Sequence, residues 1–137
     1  MNRIDLQELA DVRLKEARAL LNSGQFDGAY YLAGYSVECA LKACIAKRTL
    51  EHDFPEMKLV NESHTHNLPE LMRLAQLASI LKAAMLADSR LEDDWIAVQD
   101  WNEASRYKRW DLSSALSLLD AIENQSGGLL PWIKLPW

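Results

Sequence analysis

The sequence is poor in residues that favour β-sheets and in residues that interrupt helices. Val, Ile and Thr account for 12 of the 137 residues, whereas Leu and Ala account for 40. Because β-branched residues favour strands while Leu and Ala favour helices, this imbalance predicts an all-α protein. With five Gly, four Pro and 49% hydrophobic residues, the composition excludes disordered, collagen-like and low-complexity chains. A chain of this length is expected to form one domain over residues 1–137.

The chain also lacks an excess of positive charge and a long apolar run. Fifteen Lys and Arg oppose 20 Asp and Glu, so the net charge is −5 and no overall positive field attracts DNA or an anionic membrane. The longest uncharged apolar run, residues 28–37, is about half the length of a membrane-spanning helix. Residues 1–18 carry charges at every turn, unlike a signal peptide. We therefore expect a cytoplasmic protein that binds neither DNA nor membranes.

Cysteine is scarce, which limits disulfide and metal chemistry. Cys39 and Cys44 lie five residues apart on one predicted helix and point about 140° apart, so they cannot pair with each other. We interpret them as buried thiols in a reducing compartment. His52, His64 and His66 lie in residues 49–67, where no helical period is sustained and a loop is predicted. No third ligand has suitable spacing, so we predict neither a metal nor a cofactor, and His66 is interpreted as helping to cap the next helix.

Apolar residues recur at helical spacing through most of the chain. Gly24 is suited to end the first helix in a left-handed conformation, and Asp27 is a candidate N-cap for the second. The first two predicted helices cover about residues 3–22 and 28–48. A third begins near Pro69, and another segment covers residues 80–86. Two more begin at Leu91, ending near 105–107, and at Leu112, with Asp111 as N-cap. A short apolar tail, residues 129–137, follows two glycines.

The second predicted helix is apolar on nearly all sides, so we expect it to be central and buried. Polar side chains form one row on this helix: Tyr31, Tyr35, Glu38 and Lys42, at spacings of four, three and four residues. A carboxylate on such a helix needs a partner. Glu38 and Lys42 therefore form either a structural ion pair or part of a polar site.

Residues 105–110, SRYKRW, interleave three cations with two aromatic rings in an otherwise acidic chain. Arginine pairs with phosphate and aromatic rings stack on bases, so this segment is a candidate phosphate and base contact. The alternative is a helix end at which Arg106 and its neighbours interact with the carbonyl dipole.

Several of these segments together resemble a known family. Residues 27–43, DGAYYLAGYSVECALKA, are similar to the central helix of HEPN domains (higher eukaryotes and prokaryotes nucleotide-binding). Residues 66–68 with Leu71, Trp101 followed by residues 105–107, and residues 130–134 resemble later blocks of one bacterial subset. The resemblance implies an up-and-down bundle of about five helices that commonly forms a homodimer. It also implies nucleotide binding in some members, and a minimal nucleotidyltransferase as the partner in toxin–antitoxin pairs.

Other members of that family are metal-independent ribonucleases, which carry an Arg followed after four to six residues by a His. Here Arg48 and His52 have three residues between them and lie at the end of the central helix, not on the later helix. Arg106 is followed by Tyr107 and by no His. The ribonuclease motif of the family is therefore not found.

We predict a non-catalytic module that binds a nucleotide or RNA. In this hypothesis Arg106 contacts phosphate, and Tyr107 and Trp101 provide stacking or cleft walls. Glu38 and Lys42 form a polar floor, and the loop residue His66 contributes to the site. One alternative is a divergent metal-independent HEPN ribonuclease that uses Arg106, Tyr107 and His66. Another is a structural dimerisation subunit that docks a partner through an exposed tail containing Trp132 and Trp137.

Overall fold

The computed structural model describes residues 1–51, 57–124 and 126–137, and these residues contain helices but no strand. The predicted all-α bundle is confirmed. Five of the α-helices have ten or more residues, in agreement with the expected number. The α-helices are α1 (Arg3–Asn22), α2 (Phe26–Glu51), α3 (Met57–Glu62), α4 (Leu68–Leu74), α5 (Ala78–Ala87), α6 (Ser89–Val98), α7 (Leu112–Glu123) and α8 (Leu129–Lys134), with a 3-10 helix (Glu103–Tyr107) between α6 and α7.

Helices α1 and α2 form a pair joined by a tight turn. Gly24 has a φ of +79° just after the C-cap of α1, as the sequence predicted, because glycine reaches this conformation without a steric penalty. The predicted N-cap of α2 was wrong, since Asp27 lies inside the first turn of a helix that begins at Phe26. Its side chain instead accepts a hydrogen bond from the backbone N–H of Trp110, at 2.5 Å.

Helix α2 is the central helix, as predicted. It contacts α1, α4, α7, α8 and the 3-10 helix. Its small side chains let these neighbours approach closely, and Ala29, Ala33 and Ala40 are fully buried. The row of polar side chains on α2 is therefore surrounded by packed elements from both halves of the chain.

The loop predicted over residues 49–67 is partly wrong. Helix α2 continues to Glu51, and residues 57–62 form α3, whose Leu59 is buried in the core. His52 lies outside the described residues. The N-cap of α4 is Asn67, whose side chain accepts a hydrogen bond from Glu70 N at 2.8 Å, so His66 does not cap this helix. Pro69 occupies the first turn of α4, as predicted.

The helix predicted from Leu91 to near 105–107 is also interrupted. Helix α6 ends at Val98, and the chain turns so that Trp101 enters the core. Asn102 then caps the 3-10 helix, because its side chain accepts a hydrogen bond from Ala104 N at 2.9 Å. The predicted N-cap of α7 is confirmed, since Asp111 accepts a hydrogen bond from Ser114 N.

The apolar tail packs on its own bundle. Residues 129–134 form α8, in which Leu129, Leu130 and Ile133 are buried, and Trp132 and Trp137 are only partly exposed. The tail of the structural alternative therefore packs on α7 and α2 through α8 and is not fully exposed. No helix in the described part of the chain is both long enough and apolar enough to cross a membrane.

Candidate functional site

The candidate site is organised around Tyr31, Tyr35, Glu38 and Lys42, which we name the α2 row. Residues distant in sequence contact it: His66, before α4, contacts Glu38, and Trp101, before the 3-10 helix, stacks on Tyr31. The rings of Tyr31 and Tyr35 stack on each other with centroids 6.0 Å apart. The row therefore carries two partly exposed rings at one end and a charged pair at the other.

Glu38 is the buried charge of the site, with 2% of its surface exposed. Its Oε2 lies 3.3 Å from Lys42 Nζ, and its Oε1 lies 2.8 Å from His66 Nδ1. Burying a carboxylate without such partners is costly, so the contacts explain how the apolar helix tolerates Glu38. The ion pair predicted between Glu38 and Lys42 is present.

His66 connects α2 to the 3-10 helix. Besides its contact with Glu38, its Nε2 lies 3.1 Å from Glu103 Oε2. Ionised carboxylates only accept hydrogen bonds, and a neutral imidazole has one N–H, so the neutral ring donates to only one of these two residues at a time. Glu103 was missed by the sequence analysis, because nothing in its local pattern indicates a contact with residues 66 and 38.

Trp101 forms the wall behind Tyr31. It is 2% exposed, and its ring stacks on Tyr31 with centroids 5.8 Å apart. A Cβ atom placed on Gly34 would overlap the Trp101 ring, so the close packing of α2 against this tryptophan requires glycine. Trp101 thus lies beside the α2 row as a buried ring that stacks on Tyr31.

Arg106 and Tyr107 lie on the surface at the Tyr31 end of the α2 row. The guanidinium carbon of Arg106 is 4.8 Å from the centroid of the Tyr107 ring, and 78% of Tyr107 is exposed. The neighbouring hydroxyl groups of Tyr107 and, less strongly, Tyr31 raise the pKa of Arg106. Within the described residues Arg106 has no carboxylate at ion-pair distance. Its guanidinium group is therefore accessible to an external anion.

The position of this cationic segment is fixed by Trp110. The Trp110 ring stacks face to face on Tyr30, with centroids 3.6 Å apart and planes inclined by 8°. Its Nε1 donates a hydrogen bond to the carbonyl of Ser105 at 3.0 Å, and its backbone N–H donates to Asp27. The sequence analysis missed these contacts of Tyr30 and Asp27. Together these contacts hold residues 105–110 against the start of α2.

A cavity of about 430 Å³ lies at the Lys42 end of the α2 row. Among the described residues, Tyr35, Glu38, Cys39 and Lys42 form one wall, and α3 with the residues after it forms another. Burial is the main reason that the pKa of Cys39 rises to about 11, so this thiol is neutral and a poor nucleophile near neutral pH. Cys39 and Cys44 are both free and buried, as the sequence predicted.

Comparison with known proteins identifies one family. The model of the HEPN domain matches residues 5–124, which include the whole α2 row, His66, Trp101, Arg106 and Tyr107. No curated protein and no solved structure matches the chain significantly.

Proposed function

The chain belongs to the HEPN domain family, and on that premise we propose that it is a non-catalytic module that binds a nucleotide or RNA. One observation carries the proposal. Arg106 is exposed beside the exposed ring of Tyr107, and within the described residues it has no carboxylate partner. An arginine pairs with two phosphate oxygens at once, and a tyrosine ring stacks on a base. The two side chains therefore offer both contacts that a nucleotide needs.

The α2 row supplies the rest of the proposed site. Lys42 uses one contact to hold Glu38 and is still partly exposed, so its remaining N–H groups face solvent and a ligand. Glu38 is the polar floor to which Lys42 and His66 are bound. The buried Trp101 ring stacks on Tyr31, and His66 contacts Glu103 of the 3-10 helix.

The geometry around His66 favours binding over catalysis. A ribonuclease that uses this imidazole as a general base needs one ring nitrogen free to take the proton of a 2′-hydroxyl group. Both nitrogens of His66 instead lie within about 3 Å of carboxylate oxygens of Glu38 and Glu103. The alternative of a divergent ribonuclease built on Arg106, Tyr107 and His66 therefore receives less support.

The proposal includes partners that rest on the family resemblance. They are a second copy of the chain, in a homodimer, and a minimal nucleotidyltransferase in a toxin–antitoxin-like system of a bacterial cytoplasm. The purely structural alternative, docking through Trp132 and Trp137, receives less support, because α8 packs on the bundle and both tryptophans are only partly exposed.

The test is a thermal-shift screen with nucleotides and short RNAs on the wild type, Arg106→Ala and Lys82→Ala. Lys82 is exposed on α5, so its variant removes the same charge away from the α2 row. A ligand present at 100 times its dissociation constant adds about 2.7 kcal/mol of stability. We expect Arg106→Ala to abolish the shift and Lys82→Ala to keep it, with similar melting temperatures without ligand.

Two results would overturn the proposal. If no nucleotide or RNA shifts the wild type, the site has no such ligand. If Arg106→Ala lowers the melting temperature of the free protein by many degrees, Arg106 is a structural residue. Cleavage of a labelled RNA by the wild type, lost in Arg106→Ala, would instead favour the ribonuclease alternative.

A further inference from the structure

A second, smaller cavity of about 180 Å³ lies near the carboxyl end of α2, where this helix meets the turn between α4 and α5 and the residues after α8. Its described lining consists of Cys44, Lys47, Arg48, residues 75–77 and Pro136. Because successive residues of an α-helix are about 100° apart, the three lining residues from α2 lie roughly 120–160° around the helix from Lys42. This cavity is therefore separate from the α2 row, and the proposed function does not use it.

Two positive charges border this cavity, and its described lining contains no Asp or Glu. Lys47 Nζ donates to the carbonyl of Pro136 at 2.6 Å, and Arg48 Nη1 donates to the carbonyl of Leu74 at 2.8 Å. The carbonyls that end a helix, such as that of Leu74 in α4, together carry only about half a negative charge. Burial raises the pKa of Cys44 to about 11, so its thiol adds no negative charge near neutral pH. The cavity therefore keeps a positive charge.

Other part-buried cations of the chain contact carboxylates. These ion pairs are Arg13–Glu16, Arg18–Glu123 and Lys134–Asp11. Acidic side chains are in excess, 20 against 15 Lys and Arg, yet over the described parts of the chain neither Lys47 nor Arg48 has a carboxylate at ion-pair distance. Lysine has three N–H donors and arginine has five, so both keep donors beyond their carbonyl contacts. An external anion can supply the charge that no described side chain supplies.

The third polar side chain of the lining, Gln76, stands on an unusual backbone. Its φ is +60°, and among residues 1–51, 57–124 and 126–137 it is the one residue other than glycine with a positive φ. It directly follows the C-cap of α4, a position where glycine adopts this conformation without a steric penalty. A strained residue that is not glycine points to a role for its side chain. Gln76 lines the cavity, and its amide group can donate a hydrogen bond to an anion there.

We infer that this cavity binds a compact oxyanion with the charge and size of phosphate. Lys47 and Arg48 supply the positive charge from α2, and Gln76 donates from the turn on the other side. A phosphate group carries about two negative charges near neutral pH and several acceptor oxygens, which match two cations and an amide. The bound anion connects α2 to the turn between α4 and α5. Free inorganic phosphate and a phosphate ester of a larger molecule share this chemistry.

The test is a calorimetric titration with inorganic phosphate and with phenyl phosphate, at pH 7 and constant ionic strength. Gln76→Glu keeps the size of the side chain and places a carboxylate in the cavity. Its matched control is Gln25→Glu, which makes the same change at an exposed position before α2. Arg48→Met removes one cation, and its control is Lys82→Met on the exposed surface of α5. Far-UV circular dichroism establishes that each variant is folded, and Gln76→Glu carries the test if Arg48→Met is not.

We expect the wild type to bind inorganic phosphate, and Gln76→Glu and Arg48→Met to bind it about tenfold more weakly, because each variant removes or offsets a charged contact. Gln25→Glu and Lys82→Met should match the wild type. If phenyl phosphate binds as tightly as inorganic phosphate, the site accepts a phosphate ester of a larger molecule. Weaker binding of phenyl phosphate indicates that the ligand is the free anion. Both results agree with the inference.

Three other outcomes would overturn the inference. If neither ligand binds the wild type, the cavity is not an oxyanion site. If Gln76→Glu and Gln25→Glu weaken binding equally, the net charge of the protein and not the cavity determines it. If both cavity variants bind phosphate like the wild type while Arg106→Ala loses it, the anion lies at Arg106. In that last case the proposed function stands and the inference about this cavity fails.

Discussion

Glu38 shows how one buried charge organises several elements. Its carboxylate contacts Lys42 on its own helix and His66 before α4, and His66 continues the chain of contacts to Glu103. The partners are less buried than Glu38 itself, since the side chains of Lys42 and His66 are 22% and 40% exposed. Removing the carboxylate therefore leaves groups that can turn towards water, which limits the energetic cost.

We predict that Glu38→Gln lowers the free energy of unfolding by about 1–3 kcal/mol. The amide keeps the size of the side chain but replaces one of the two acceptor oxygens that contact Lys42 and His66 with an NH₂ group. The matched control is Glu103→Gln, where the carboxylate is 53% exposed and a loss below about 0.5 kcal/mol is expected. Urea unfolding at pH 7 measures both. Equal losses in the two variants would show that burial of Glu38 does not determine its contribution.

Single residues were predicted from the sequence where they broke the local pattern. Glu38 and Lys42 are charges on an apolar helix, and Arg106 and Tyr107 belong to a cationic aromatic segment in an acidic chain. Glu103 and Asp27 break no such pattern, because charged residues near helix starts are common. Their contacts, with residues distant in sequence, become visible only once the elements are packed.

At the scale of elements, the position of the 3-10 helix depends on two aromatic contacts with α2. Trp101 packs against Gly34 and Tyr31 just before this helix, and Trp110 stacks on Tyr30 just after it. Both rings meet the same stretch of α2, within five residues. The exposed Arg106 lies between these two contacts, so its position near Tyr31 follows from them.

We predict that Gly34→Ala destabilises the protein by about 1–3 kcal/mol, because its Cβ atom overlaps the buried Trp101 ring and overpacking has this cost. The control is Gly28→Ala on the same helix, where the Cβ atom meets the flexible end of Leu20 at 3.1 Å. Alanine favours a helix interior by roughly 0.5–1 kcal/mol over glycine, which offsets that contact. Urea unfolding followed by tryptophan fluorescence measures both variants. The predicted packing is wrong if Gly34→Ala is as stable as Gly28→Ala.

Helices were predicted well where the stripe of apolar residues was long and where residues that cap or end helices stood at its ends. Gly24 after α1 and Asp111 before α7 are such residues, and both were found as predicted. The apolar spacing from Leu91 through Trp101 predicted one continuous helix, but the helix ends before Trp101. Trp101 is buried because the chain turns there, and not because it lies on the helix. Helix α3 was missed because six residues with one buried Leu are too short to show a period.

For the molecule as a whole, charge is unevenly distributed. The net charge is −5, yet Arg106, Lys108 and Arg109 form an exposed cationic segment that runs from the end of the 3-10 helix towards α7. An acidic protein repels a polyanion at long range, so binding to RNA has to come from these few local contacts. This distribution favours a ligand with few phosphates over an extended nucleic acid.

The number of phosphate contacts can be read from the salt dependence of binding, and we predict a shallow one. Each phosphate contact of a single strand contributes about −0.7 to the slope of log K against log salt, so the three cations give roughly −2. Arg106→Ala should make the slope less steep by about 0.7, and Lys82→Ala should leave it unchanged. Fluorescence anisotropy with a labelled short single-stranded RNA measures these slopes between 50 and 300 mM salt. A slope near zero would show that the three cations make no phosphate contact. A slope as steep as about −5 would require phosphate contacts from cations outside residues 106–109, which contradicts the prediction.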